Sequence, residues 1–124
     1  MIFVSLIVIA SSLAAIVSIE AAARGRLGIN SLIGLRVSSV MSSDEAWQRG
    51  HAAARVPVWI GASGAVAGSL ISIVLPESAR GVGQTASTTI LLLGVIVGGI
   101  IASRAARGVV PPVFDDLPPN DSHT

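Results

Sequence analysis

The stretch PVWIGASGAVAGSLISIVL, Pro57–Leu75, runs for 19 residues without an ionisable side chain. A helix needs roughly 20 such residues to cross a hydrocarbon core about 30 Å thick. Met1–Ile19 is a second run of 19, and Gly81–Ser103 is a third stretch free of charge. Only 12% of the 124 residues are charged while 52% are apolar, and the mean hydropathy is +0.78. A soluble domain of this size buries only about 60–70% of the surface that its unfolded chain exposes. The remainder here is too apolar for water, so it must face lipid. The fold class read from the sequence is all-α: an integral membrane protein of three helices, over about 2–23, 57–75 and 85–104. Residues 1–104 then make one membrane domain, with a loop over 24–56 and a Pro-rich tail over 105–124. Met1–Ala23 carries no basic residue ahead of its apolar run, so it reads as a retained helix rather than a secretory signal.

Each expected helix carries small residues at a spacing of three or four, which stacks them on one face. The first has Ala10, Ala14, Ser18 and Ala22; the second Gly61, Gly64, Ala65, Gly68 and Ser72; the third Gly94, Gly98 and Ala102. Lipid supplies little hydrophobic drive between helices, so such faces let backbones approach and gain van der Waals contact. Gly61, Gly64, Gly68, Gly94 and Gly98 are the expected packing residues. One face per helix suffices for an internal bundle, and the same faces also suit a partner protein. Trp59, at the start of the second helix, is expected at headgroup level.

All eight basic residues are arginine. Arg24, Arg26, Arg36, Arg49 and Arg55 lie between the first two helices, Arg80 between the second and third, and Arg104 and Arg107 after the third. The positive-inside rule places the first loop and the tail in the cytoplasm and the N-terminus outside. Pro76–Gln84 is then a short external loop. The tail, GVVPPVFDDLPPNDSHT, reads as locally polyproline II or without fixed structure.

The cytoplasmic loop holds the most varied chemistry, in NSLIGLRVSSVMSSDEAW, Asn30–Trp47. Ahead of and within it, Gly25, Gly28 and Gly34 alternate with apolar residues, a pattern of irregular backbone at the membrane surface. Ser42-x-x-Glu45 is a capping-box pattern. Asp44 and Glu45 suit the positive end of a helix dipole. Glu45 with Arg49, and Glu20 with Arg24, are spaced for i,i+4 ion pairs. Trp47, His51 and Ala54 share a face. Together these describe a short amphipathic helix, about Ser43–Arg55, lying at the interface and leading into the second membrane helix.

Gly25, Arg26, Asn30, Gly34, Arg36, Asp44, Glu45, Trp47 and His51, over about residues 24–55, resemble the signature of the SdpI-type immunity protein family. That family commonly has Thr-Pro after the arginine, where Val37-Ser38 stand here. The resemblance implies a bacterial plasma-membrane protein. The characterised member protects its host against a secreted peptide toxin and tethers a transcriptional repressor at the membrane.

Asn30, Gly34, Arg36, Trp47 and His51 are the candidate residues for binding a partner or lipid. Arg36 suits a lipid phosphate or a partner's carboxylate, with Asn30 ordering the loop around it; the positive-inside rule alone also accounts for it. Trp47 suits either an interface anchor or a packing post. His51 has no partner spaced to converge on it and reads as a helix-face histidine rather than a ligand or base. Adjacent Asp44 and Glu45 do not face each other, so capping accounts for them better than acid–base work. Asp115, Asp116, Asp121 and His123 are too sparse for a cation site. The chain has no cysteine, no phosphate loop or zinc motif, and no ionisable residue midway along an expected helix. No catalytic residue, metal or cofactor is expected. The expected partners are membrane lipids and a protein partner or membrane-protein complex, not nucleic acid. Two functions fit: immunity or signalling by binding a membrane-active peptide, or service as an accessory subunit of a larger membrane complex.

Overall fold

The computed structural model describes residues 2–30, 34–36 and 38–109. These form three long helices, α1 (Ile2–Ala23), α2 (Asp44–Val74) and α3 (Glu77–Arg107), with a 3-10 turn at Val40–Ser42 ahead of α2. Each helix is long and apolar enough to cross a membrane. The tail from residue 110, with its prolines and acidic residues, lies outside the described residues, as does Val37.

Two of the helices are longer than expected. The amphipathic helix and the second membrane helix are one rod of 31 residues that runs through Pro57. Such a rod is about 46 Å long, well beyond the hydrocarbon thickness. The apolar run from Pro57 fills the hydrocarbon, so Asp44–Val56, with its charges, projects beyond it on the loop side. Pro57, expected to start a helix, withholds one N–H from the ladder without ending it. α3 begins at Glu77, so the expected Pro76–Gln84 loop shrinks to the pair Leu75–Pro76. Arg80 Nε donates to the Leu75 carbonyl at 2.9 Å and closes that turn.

α2 is the central helix: it packs against both others, while α1 and α3 touch each other little. Its contact with antiparallel α3 is backbone on backbone. A Cβ on Gly61 would stand 2.7 Å from the Gly94 Cα, and one on Gly94 would stand 2.8 Å from the Pro57 carbonyl oxygen. Gly98 lies against Val58 and Ala54, and Gly68 against Ser87. Gly64 meets only a side-chain methyl of Ile90, at 3.0 Å. Gly50 against Val40 and the Ala102 carbonyl, and Gly83 against Ser72, extend the same contact past the helix limits expected from sequence.

α1 packs on a face that shares Ala22 with the expected one and leaves out Ala10 and Ala14. Ala10 and Ala14 are exposed, and the buried row is Ser5, Val8, Ser12, Ile19 and Ala22. These alternate by three and four, with Ala15 completing the pattern against the core. That is the seven-residue period of closely packed, slightly inclined helix pairs, and it lies on the side opposite Ala10. Ser12 satisfies its hydroxyl by donating to the Val8 carbonyl at 2.8 Å. Far from the loop, Gln84 of α3 donates to Ser5 of α1, and its Oε1 accepts from Ser69 of α2 at 3.4 Å. One amide thus joins all three helices.

Gly61→Leu is expected to cost about 2 kcal/mol, in the range for overpacking a tight contact, and to lower the melting temperature in detergent by several degrees. Gly64→Leu should cost less, because the Ile90 methyl can move aside. Gly99→Ala, with nothing within 4 Å, should melt like wild type. Equal melting of Gly61→Leu and wild type would show that the glycine contact does not hold the hairpin.

Candidate functional site

The loop between α1 and α2 folds back over the projecting part of α2, and glycines steer it. α1 ends in a Schellman turn: Arg26 N–H donates to the Ala21 carbonyl at 2.8 Å and Gly25 N–H to the Ala22 carbonyl at 3.3 Å. That turn needs a left-handed residue, and Gly25 supplies it at φ +74°. The chain then presents the Leu27 carbonyl to Trp47, whose Nε1–H donates to it at 2.7 Å. Asn30 Nδ2 donates to the Gly28 carbonyl at 2.9 Å, and Arg36 Nη1 donates to the Asn30 carbonyl. Arg36 remains exposed. Its role in the fold is to brace the loop, with Asn30 as its partner.

Trp47 and His51 form the centre of this arrangement. They are 1% and 0% exposed, with ring centroids 4.3 Å apart. His51 Nδ1 lies 2.7 Å from the Trp47 carbonyl, and Nε2 accepts the Leu35 N–H at 2.9 Å. Only the neutral ring with its proton on Nδ1 satisfies both contacts. Gly34 covers the pair at φ +103°, where a Cβ would fall 2.7 Å from the indole and 2.9 Å from His51 Nε2. Burial pushes the His51 pKa down, while the bond to the Trp47 carbonyl opposes that shift. Trp47 is thus a packing post inside the loop, and His51 is the acceptor that fixes the loop's return. One partner of His51, the Trp47 carbonyl, lies one turn back in α2, while the other, the Leu35 N–H, is brought in by the fold of the loop, which residue spacing does not display.

Other loop contacts complete the platform. The helix cap is Ser43, whose Oγ accepts from Ala46 N–H at 3.0 Å, rather than Ser42, whose hydroxyl donates to the Ser39 carbonyl at 2.7 Å. Ser43 has the extended backbone a cap requires, whereas Ser42 belongs to the 3-10 turn. Ser39 and Ser103 hydroxyls meet at 3.0 Å, tying the loop to α3. Among the described residues, both ion pairs use Glu20: Arg24 at 3.1 Å and Arg55 at 2.7 Å. The expected Glu45–Arg49 pair is not among them. Trp59 directs its indole N–H to Glu20 at 2.9 Å, so its polar end is engaged by the protein. The Arg55 and Trp59 contacts escaped the sequence reading. The available signal was that Glu20 closes one apolar run and Arg55 precedes the other.

The sparse contact between α1 and α3 leaves a cavity of about 300 Å³ between the helices. Ser11, Ala14, Ala15, Ser18, Val58 and Val95 line it, and Gly34 and Leu35 close its loop end over His51. No charged side chain faces it. Such a surface can receive apolar side chains but offers no acid–base pair.

The family model described as the SdpI/YfhL protein family matches residues 26–103, which take in nearly all of the loop, α2 and nearly all of α3. No curated protein and no solved structure matches the chain.

Protonating His51 would set an Nε2–H against the Leu35 N–H. Because the folded state holds this ring below its ordinary pKa, it binds fewer protons than the unfolded chain near that value. The stability due to the loop closure should therefore be complete above pH about 6.5 and decline as pH falls below it. Leu35 amide exchange, corrected for its intrinsic pH dependence, should accelerate in that window. Unchanged protection would show that His51 does not hold the loop.

Proposed function

The chain belongs to the SdpI/YfhL protein family and is built of membrane-embedded helices; from that premise we propose that it binds a membrane-active peptide in the groove between α1 and α3. The observation that carries this reading is the groove itself. Its α1 wall carries the small side chains Ser11, Ala14, Ala15 and Ser18, Val58 and Val95 face them, and its end is the His51-held loop. In lipid, an incoming peptide gains most where its backbone approaches a wall of small residues. The loop then presents Asn30 and Arg36 at the surface for a second, polar partner. This is binding without chemistry.

The same reading sets the protein in a bacterial plasma membrane with the loop in the cytoplasm. Support comes from packing: Ser39 against Ser103 and Gly50 against Ala102 bring the loop and the end of α3 to one side. Seven of the eight arginines then share that side, as the positive-inside rule favours. A second reading, accessory subunit of a larger complex, draws on α1, whose exposed Ala10 lies opposite the buried row.

In a strain lacking the gene, the wild-type copy is expected to restore growth against peptides secreted by its own culture. Ser18→Trp, which fills the groove, should not restore it at equal membrane abundance. Full protection by that variant would remove the groove from the mechanism, and no protection by wild type would leave the accessory reading.

The natural absence of cysteine makes topology directly measurable. In intact cells, Ser78→Cys should react with a membrane-impermeant maleimide and Ser38→Cys only after lysis. The reverse pattern would invert the proposed orientation.

A further inference from the structure

Glu20 sits where the first apolar run ends, and Arg55 sits just before the second begins. Four donors converge on this one carboxylate: Arg55 Nε at 2.7 Å, Arg55 Nη2 at 2.9 Å, Arg24 Nε at 3.1 Å and Trp59 Nε1 at 2.9 Å. The bidentate bond from Arg55 already satisfies a carboxylate well. Arg24 is therefore surplus cation, and two guanidiniums against one carboxylate leave a net positive charge at the edge of the hydrocarbon. Both guanidiniums stay open while paired, with side-chain exposures of 57% for Arg24 and 43% for Arg55, against 17% for Glu20. An exposed pair such as Arg24–Glu20 adds little to stability, so Arg24 is available to a second anion at small cost.

The surface beside these arginines is apolar. Val56 and Ile60 are each 67% exposed and Trp59 is 42% exposed. With Ala52 and the three charged residues they line a groove of about 460 Å³. Charge at one end and an apolar wall running into the membrane at the other match an amphiphile with an anionic head. Arginine forks onto phosphate oxygens, and a tryptophan at this depth suits the boundary between headgroup and acyl chain.

We propose that this groove holds one anionic phospholipid, with its phosphate on Arg24 and Arg55 and an acyl chain along Val56, Trp59 and Ile60. The site bridges α1 and α2, so the lipid fastens the loop-side end of α1. It is separate from the α1–α3 groove and does not depend on peptide binding.

The test is native mass spectrometry of the full chain in mild detergent, with phosphatidylglycerol or phosphatidylcholine of identical acyl chains. One phosphatidylglycerol should be retained per chain under conditions that strip phosphatidylcholine. Arg24→Gln, which leaves the Arg55–Glu20 bond in place, should lower that retention about five- to tenfold, the scale for one interfacial arginine. Arg24→Lys should recover part of it. Equal retention of the two lipids, or unchanged retention in Arg24→Gln, would overturn the assignment. Displacement of the lipid by excess inorganic phosphate would also overturn it, because the site would then recognise phosphate alone.

Discussion

The close approach of Gly61 and Gly94 carries a consequence for every other part of the molecule. Lipid tails are as apolar as leucine, so two membrane helices gain by contact only where their atoms meet more closely than lipid would allow. Here the backbones themselves meet, with space for a Cβ on neither side. The turn of Leu75–Pro76 sets the register of this meeting. Gly83 then falls opposite Ser72, Gly68 opposite Ser87, and Gly50 opposite Ala102. A slip of one residue would bring Ile60 or Val95 into the narrowest part. Because the contact is continuous, α2 and the end of α3 emerge together on the loop side.

That shared projection gives the loop something to fold against. Its return depends on satisfying polar groups that burial would otherwise strand: the Trp47 indole N–H on the Leu27 carbonyl, and the two His51 nitrogens on Trp47 and Leu35. Leaving one such group unpaired costs about 1–3 kcal/mol. Gly25 and Gly34 are the only described residues with positive φ, and each sits where the chain must reverse close to another side chain. The family-signature residues of the loop therefore depend on one another first. What they hold outward is chiefly Arg36.

Three membrane helices were legible because length and missing charge report directly on the thickness of the bilayer. The small faces of α2 and α3 were legible because glycine at four-residue spacing has few other uses in a membrane helix. The face of α1 was not. All sides of that helix are apolar, so Ala10 and Ala14 stood out by size, while the packing followed the three-four rhythm of Ser5, Val8, Ser12, Ile19 and Ala22. Helix ends were misplaced where proline has two meanings. Pro57 suits a first turn but also lies inside α2, whereas Pro76 does precede a helix, eight residues earlier than the expected Thr85. The candidate site was legible as residues and not as bonds. Trp47 reaches a carbonyl 20 residues away and His51 an amide 16 residues away through the loop, and no spacing rule covers such contacts.

The polar fastenings of α1 lie towards its two ends. Ser5 meets Gln84 at one, and Glu20 meets Arg55 and Trp59 at the other. Between them α1 rests on α2 through a row of small and branched side chains and stands away from α3. A peptide bound as proposed would therefore displace lipid rather than protein contacts, which is the inexpensive way to bind inside a bilayer. For that occupancy to be felt outside the membrane, it must favour one arrangement of the loop over another. In the proposed binding mode, Leu35 would be the residue to transmit it. Its side closes the groove, and its amide is held by the one ring whose protonation state decides whether that hold exists.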